Sequence, residues 1–134
     1  MSLRRLFLFL SVLAVLAVPA LPGHARPPAA VTPADCRLVV DGPFLYLQAD
    51  LIIPDSHIEC SAPVGRIRIS SVLTRDGVQV ASSTRDCRKS SRCDLSIDVS
   101  APNIPGDQVW CVTAQGSADR VSFTRATACE GDAF

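Results

Sequence analysis

The sequence has 134 residues, which leaves room for one small domain after an apolar N-terminal stretch. Its 13 basic residues balance 13 acidic ones, so the formal net charge is zero. This balance argues against binding of nucleic acid or of an anionic membrane, because both need a concentrated excess of Lys and Arg.

The first 25 residues have the three parts of a secretory signal peptide. Arg4 and Arg5 are its only charges, the run 6–18 is almost entirely apolar, and 23–25 supplies the small residues that a signal peptidase reads. At about 13 residues the apolar run is shorter than the ~20 residues of a membrane-spanning helix. We therefore predict cleavage after Ala25, secretion of the remaining chain, and no insertion of that chain into a membrane.

The chain that remains after cleavage is close to neutral. It carries 11 basic and 13 acidic residues, a net charge of −2. Residues 26–35 are rich in Pro and Ala, and we predict a flexible N-terminal segment there. Residues 36–134 are predicted to form one β domain.

Short runs of alternating apolar and polar residues follow one another through this domain. Turn residues separate the runs at intervals of about 8 to 12 residues, which is typical of a β-sandwich. Asp76-Gly77 lies between two runs, and this dipeptide is the strongest short signal for a two-residue hairpin turn. We expect seven or eight short strands, at residues 36–40, 44–53, 57–61, 66–74, 78–80, 94–100, 108–114 and 120–124.

The apolar positions of these runs predict the core. The run 94–100 alternates most regularly, and its apolar residues should all point inward. The expected core consists of Ile58, Ile67, Ile69, Leu73, Leu95, Ile97, Val99, Val109, Val121 and Phe123.

Six cysteines follow the signal peptide, and an even number in a short exported chain indicates a disulfide framework. A thiolate metal site would need paired cysteines two to four residues apart, and the closest two here have five residues between them. The cysteines are Cys36, Cys60, Cys87, Cys93, Cys111 and Cys129. We predict three disulfides.

Six cysteines allow 15 pairings, and strand parity favours one of them. Cys60 shares its face with Ile58, and Cys111 shares its face with Val109, so both cysteines should point inward and bridge two sheets. Cys87 and Cys93 should close a tight loop. The predicted bridges are Cys60–Cys111, Cys87–Cys93 and, by elimination, Cys36–Cys129.

The segments Ile58-Glu59-Cys60 and Val109-Trp110-Cys111 resemble the paired cysteine strands of an immunoglobulin-type sandwich, which implies an immunoglobulin-like architecture for the all-β domain. The cysteine-rich, arginine-rich pattern is similar to uncharacterised small secreted proteins of actinomycete bacteria, a resemblance that implies no activity. The stretch 120–125, followed by Cys129-Glu130, also resembles the C-terminal end of secreted subtilisin inhibitors.

Catalytic chemistry is not predicted. His57 is the one histidine that follows the signal peptide, and we expect it on the outward, solvent-facing side of its strand, without partners for a metal site. Neighbouring residues such as Ser56 should point to the opposite face, so no catalytic set forms around the histidine. Asp94 and Asp98 should lie about 13 Å apart along one strand, farther than paired carboxylates of glycoside hydrolysis.

The segment 85–94 is the most distinctive basic region. Four basic residues stand within eight positions there, and Arg88, Lys89 and Arg92 lie inside the predicted disulfide loop. Lys89-Ser90 is similar to the Lys-Ser reactive site of Bowman–Birk inhibitors, which implies a substrate-like loop for a trypsin-like protease. The alternatives are a solvated hairpin tip and a contact surface for an anionic ligand.

Trp110 is a second candidate contact. It lies one residue from Cys111, so it should face away from the core. An outward Trp on a central strand indicates a binding partner, unless the apolar segment 44–53 or a loop covers it.

The sequence therefore predicts a secreted, non-enzymatic binding or structural module without a cofactor or metal. Its expected partner is an extracellular protein, either a protease or a cell-surface component. The alternative is a secreted protease inhibitor that acts through the Cys87–Cys93 loop. The candidate contact residues are Arg88, Lys89, Ser90, Arg92 and Trp110.

Overall fold

The computed structural model describes residues 33–133. The predicted signal peptide and residues 26–32 of the predicted flexible segment lie outside the described residues. Six strands form one antiparallel sheet: β1 (Cys36–Tyr46), β2 (Leu51–Arg75), β3 (Val78–Asp94), β4 (Ala101–Pro102), β5 (Asp107–Ala118) and β6 (Val121–Ala133). A short 3-10 helix, Ile97–Val99, precedes β4. Within residues 33–133, no helix has the length and apolar character needed to cross a membrane.

The 25-residue strand β2 organises the sheet. Both β3 and β4 pair with it along one edge. On the opposite edge, β1 pairs with its first part, up to Cys60, and β5 pairs with its second part, from Ile67 onward. The last strand, β6, pairs with β5. All the strands of the sheet are thus positioned directly or indirectly by β2.

The part of the sheet around the beginning of β2 packs against the part of the sheet around its end. The β2–β3 register shifts between Glu59 and Val64, where Pro63 cannot donate a ladder hydrogen bond. Beyond this shift the sheet curls, so that Ile58 of the first part reaches Gly116 of β5. A Cβ atom at Gly116 would lie 2.7 Å from Ile58 Cδ1 and 2.3 Å from the Arg68 carbonyl oxygen.

The core fills the space inside this curl. Six of the predicted core residues are buried, namely Ile58, Ile67, Ile69, Leu73, Leu95 and Val99, and Phe123 packs against them partly buried. The prediction was wrong for Ile97, Val109 and Val121, which are 78%, 50% and 57% exposed. The core also contains residues that the sequence did not indicate, among them Ile52, Ala101, Trp110, Val112, Ala114 and Ala118.

The predicted strand 94–100 does not form. Strand β3 ends at Asp94, and Ile97 then enters the 3-10 helix, where side chains no longer alternate between two faces. Leu95 and Val99 still reach the core, whereas Ile97 turns to solvent. The predicted geometry of Asp94 and Asp98 on one strand is therefore wrong as well.

The predicted hairpin at Asp76-Gly77 is confirmed. It connects β2 and β3, and both residues have positive φ values, 49° at Asp76 and 79° at Gly77, as a type I′ turn requires.

The all-β class is confirmed too. The expected seven or eight short strands are instead six in one curled sheet. Four of them are 12 to 25 residues long, β1 has 11 residues and β4 has two.

Three disulfides are present, but two of the predicted pairings were wrong. The Cys87–Cys93 bridge is confirmed. The other two bridges are Cys36–Cys60 and Cys111–Cys129, not Cys36–Cys129 and Cys60–Cys111. In both cases the cysteines lie directly opposite each other on adjacent antiparallel strands, with Cα atoms 4.0 Å apart. Register, and not a bridge between two sheets, determines these pairings.

We predict that Gly116→Ala destabilises the domain by about 1–3 kcal/mol, because the new methyl group would overlap a backbone oxygen that cannot move freely. Gly131→Ala is the matched control, since its Cβ would meet only Val109 Cγ2 at an ordinary 3.7 Å. Urea unfolding of both variants measures the difference. Equal stability of the two variants would contradict the close packing at Gly116.

Candidate functional site

Three arginines surround one carboxylate on the outer face of β2 and β3. Arg66 and Arg68 alternate with the buried Ile67 and therefore point away from the core. In the β2–β3 register, Arg66 lies opposite Arg88, and Arg68 lies opposite Asp86. We call Arg66, Arg68, Arg88 and the adjacent Lys89 the basic surface.

Asp86 neutralises only part of this charge. Arg66 Nε donates a hydrogen bond of 2.7 Å to Asp86 Oδ1, and Arg68 lies 3.9 Å from Oδ2. The hydrogen bond from Arg66, together with the charges of Arg68 and Arg88, holds the pKa of Asp86 below its ordinary value despite some desolvation. Arg66 and Arg68 thus share one carboxylate, on which Arg88 acts only through its charge. Arg66 and Arg68 remain 54% and 56% exposed.

The segment between Cys87 and Cys93 is a kink inside β3. The predicted hairpin tip at this position was wrong, because the segment pairs with β2 on both sides of the register shift. Ser90 Oγ donates to the Arg92 carbonyl oxygen at 2.7 Å and accepts from the Arg92 N–H at 3.2 Å. Lys89 has a left-handed backbone, with φ of 51°. Cys93 is 1% exposed and belongs to the core.

A second group of charged side chains surrounds His57. Asp55, His57 and Glu59 are spaced two residues apart on β2, so they share its outer face. Asp94 of β3 lies opposite His57 in the register. We call these four residues the His57 cluster. Strand β2 supplies three of them and the β2–β3 pairing supplies the fourth.

The imidazole of His57 is enclosed by this cluster. Nδ1 lies 2.8 Å from Asp55 Oδ1, and Nε2 lies 3.7 Å from Glu59 Oε2. The His57 side chain is 8% exposed, against 36% for Asp55 and 32% for Glu59. One ligand-type atom from each of Asp55, His57 and Asp94 lies within 4.8 Å of the others.

The prediction of a solvent-exposed histidine was therefore wrong, and three carboxylates lie near the imidazole where the sequence indicated no such partners. The Asp-x-His-x-Glu spacing at 55–59 was visible in the sequence, since residues two apart share a strand face. The position of Asp94 beside His57 could not be predicted from the sequence, because it depends on the register of β3 against β2.

Two arginines keep carboxylates of the cluster ionised. Arg37 donates a hydrogen bond to Glu59, and this bond is the main cause that holds the pKa of Glu59 below its ordinary value. Burial raises the pKa of Asp94, but hydrogen bonds from Ser96 and from Arg92 outweigh it, so that its pKa is lowered. Arg92 lies 3.0 Å from Asp94 Oδ2 and 3.5 Å from Glu59 Oε2. The candidate contact Arg92 thus pairs with residues of the His57 cluster and is not part of the basic surface.

The prediction that Trp110 faces outward was wrong. Trp110 is 1% exposed, whereas its neighbour Val109 is 50% exposed. The inward face of β5 carries Trp110, Val112 and Ala114, which places Cys111 on the outer face where it bridges to β6. The Arg75 guanidinium lies 5.8 Å from the centre of the indole ring. Trp110 is a core residue and not a contact for a partner.

We predict that acid destabilises the domain as the pH falls from about 5 towards 2. A carboxyl group with a lower pKa in the folded chain adds stability above its unfolded pKa, and this contribution is lost as the folded form takes up its proton. The lowered pKa values of Glu59, Asp86 and Asp94 set this direction. Urea midpoints across this pH range measure the effect, and Asp86→Asn should reduce it. A midpoint that stays constant down to pH 3 would contradict the ion pairs described.

No protein family model, curated protein or solved structure matches the chain.

Proposed function

We propose that the protein is a small secreted, non-enzymatic binding module, and that its basic surface binds an acidic segment of an extracellular protein. The observation that carries this proposal is the gathering of three arginines on one face of the β2–β3 pair around a single carboxylate, Asp86, which contacts two of them. Arg88 and Lys89 keep the role of contact residues that the sequence indicated. Arg66 and Arg68 of β2 join them.

Three disulfides in about 100 described residues support an extracellular location, because such bridges persist in oxidising compartments. We keep the immunoglobulin-like sandwich as part of the proposal, with the face-to-face packing of Ile58 against Gly116 in its support. The resemblance to small secreted actinomycete proteins stays a prediction.

The chemistry of the basic surface suits carboxylates. An arginine fork donates two parallel hydrogen bonds to a carboxylate, and such charge-assisted bonds are stronger than neutral ones. Arg66 lies directly opposite Arg88, and like charges in that position repel. An acidic ligand would relieve this repulsion.

The strand scaffold should also lower the entropic cost of binding. Arg66 and Arg68 project from the middle of β2. Strand β3 pairs with β2 at both positions, and β5 pairs with the other edge of β2 from Ile67 onward. Groups that are already held in their bound arrangement lose less conformational freedom when a partner docks.

The alternative of a protease inhibitor receives less support from the geometry. A substrate-like loop presents its backbone as an extended strand to the protease, whereas Lys89 has the left-handed φ of 51°. The flanking residues Arg88 and Ser90 already pair with Arg66 and Val64 of β2. Little of this backbone is free to pair with a protease.

The test measures binding of a fluorescein-labelled oligoglutamate peptide to the chain from residue 26 onward, with an oligoglutamine peptide as the neutral probe. We expect salt-dependent binding of the acidic peptide, weakened about tenfold or more in Arg66→Gln/Arg88→Gln, in line with the loss of a charged hydrogen bond. Arg125→Gln is the control. It removes an arginine that is bound to Gln115 near the β5–β6 end of the same sheet.

Equal weakening by Arg125→Gln and the double variant would contradict a specific basic surface, as would a failure of the acidic peptide to bind at low salt. A trypsin assay tests the alternative function. Stoichiometric inhibition that disappears in Lys89→Ala would favour the inhibitor and overturn the proposal.

A further inference from the structure

We propose that the His57 cluster binds a divalent transition metal of the zinc class, with Asp55, His57 and Asp94 as its protein ligands. This site is independent of the basic surface and goes beyond the proposed function. It rests on the convergence of an imidazole and two carboxylates on one face of the β2–β3 pair.

The distances suit a small cation after minor side-chain adjustment. The three ligand-type atoms lie within 4.8 Å of one another. Zinc bonds to nitrogen and oxygen at about 2.0–2.2 Å, which places tetrahedral ligand atoms roughly 3.3 Å apart. Asp55 and His57 are fixed by their places on β2, and Asp94 is fixed by its pairing opposite His57. To ligate zinc, the two carboxylates would have to turn towards the imidazole until the three atoms reach this spacing.

The surroundings of His57 resemble those of a metal-bound imidazole. Asp55 Oδ1 lies 2.8 Å from Nδ1, so a cation could replace the proton that these two atoms share. On the opposite side of the ring, Glu59 Oε2 lies 3.7 Å from Nε2. This is an ion-pair distance and not a hydrogen bond. A closer approach on metal binding would let Glu59 accept the second imidazole N–H, which orients a ligand ring and strengthens it. Arg37 and Arg92 hold Glu59 in this place.

The ligand set selects the class of metal. Imidazole suits zinc, copper and nickel, whereas Ca²⁺ takes six to eight oxygen ligands. All six cysteines are engaged in disulfides, so the atoms available to ligate a metal here are nitrogen and oxygen. Asp55 and Asp94 supply negative charge for a divalent ion, although Arg92 already neutralises part of the charge of Asp94. The two carboxylates are 36% and 39% exposed, which leaves a path from solvent.

The test is a zinc titration of the tag-free chain from residue 26 onward, followed by calorimetry and by NMR of the histidine ring. His57 is the one histidine in that chain, so its ring signals are assigned without ambiguity. We expect one zinc ion per chain and a shift of the His57 ring nitrogen signals. A parallel titration with Ca²⁺ should leave those signals in place.

Variants separate the site from incidental binding. Asp94→Asn retains an oxygen to accept the Ser96 N–H but loses the negative charge of the ligand. Loss of an outer-shell partner lowers metal affinity by ~10- to 100-fold, and loss of this direct ligand should weaken zinc binding by at least as much. His57→Gln should abolish binding. Asp107→Asn, which changes an exposed carboxylate at the start of β5, is the matched control and should bind zinc like the parent chain.

Unshifted His57 ring signals at millimolar zinc would overturn the proposal, and so would equal zinc affinity in the parent chain and Asp94→Asn. The ring signals of the parent chain decide the question even if His57→Gln fails to fold. Binding of oligoglutamate by the basic surface is a separate measurement, so either proposal can fail alone.

Discussion

The pairing of β2 with its neighbours is the constraint on which the rest of the structure depends. This strand exchanges one neighbour for another along a single edge, from β1 before its register shift to β5 after it. The sheet therefore curls at 60–64, and Ile58 meets Gly116 across the interior. Every buried aliphatic residue of β2 contributes to one core that the two parts of the strand share.

The same register builds both charged groups on the outside. Residues that alternate with buried isoleucines of β2 lie on the outer face of the sheet, and their partners on β3 are determined by position alone. The first part of β2 thus brings Asp94 to His57, and the second part brings Arg88 to Arg66. The kink between Cys87 and Cys93 carries Arg88 of the basic surface, is followed directly by Asp94 of the His57 cluster, and lets β3 follow the bend. Two disulfides join neighbouring strands and the third lies within β3, so the packing of residues such as Trp110 must hold the two parts of the curl together.

Some local features of the fold could be predicted from the sequence, though not the structure of 94–100, and the long-range pairings could not. The Asp76-Gly77 turn and the alternation around Ile67 depend on neighbouring residues and were predicted correctly. The alternation of β5 was assigned to the wrong face: Val109 was predicted to be buried and Trp110 exposed, whereas the structure has the reverse. That single choice also produced the wrong partner for Cys111.

The candidate site shows the same division between local and long-range information. Arg88 and Lys89 were selected from a local concentration of basic residues, but their neighbours Arg66 and Arg68 come from another strand. Direct mapping of disulfides tests the register most directly. Proteolysis without reduction, followed by mass spectrometry, should recover peptides that join Cys36 to Cys60 and Cys111 to Cys129. A peptide that joins Cys60 to Cys111 would contradict the strand pairing and the sites built on it.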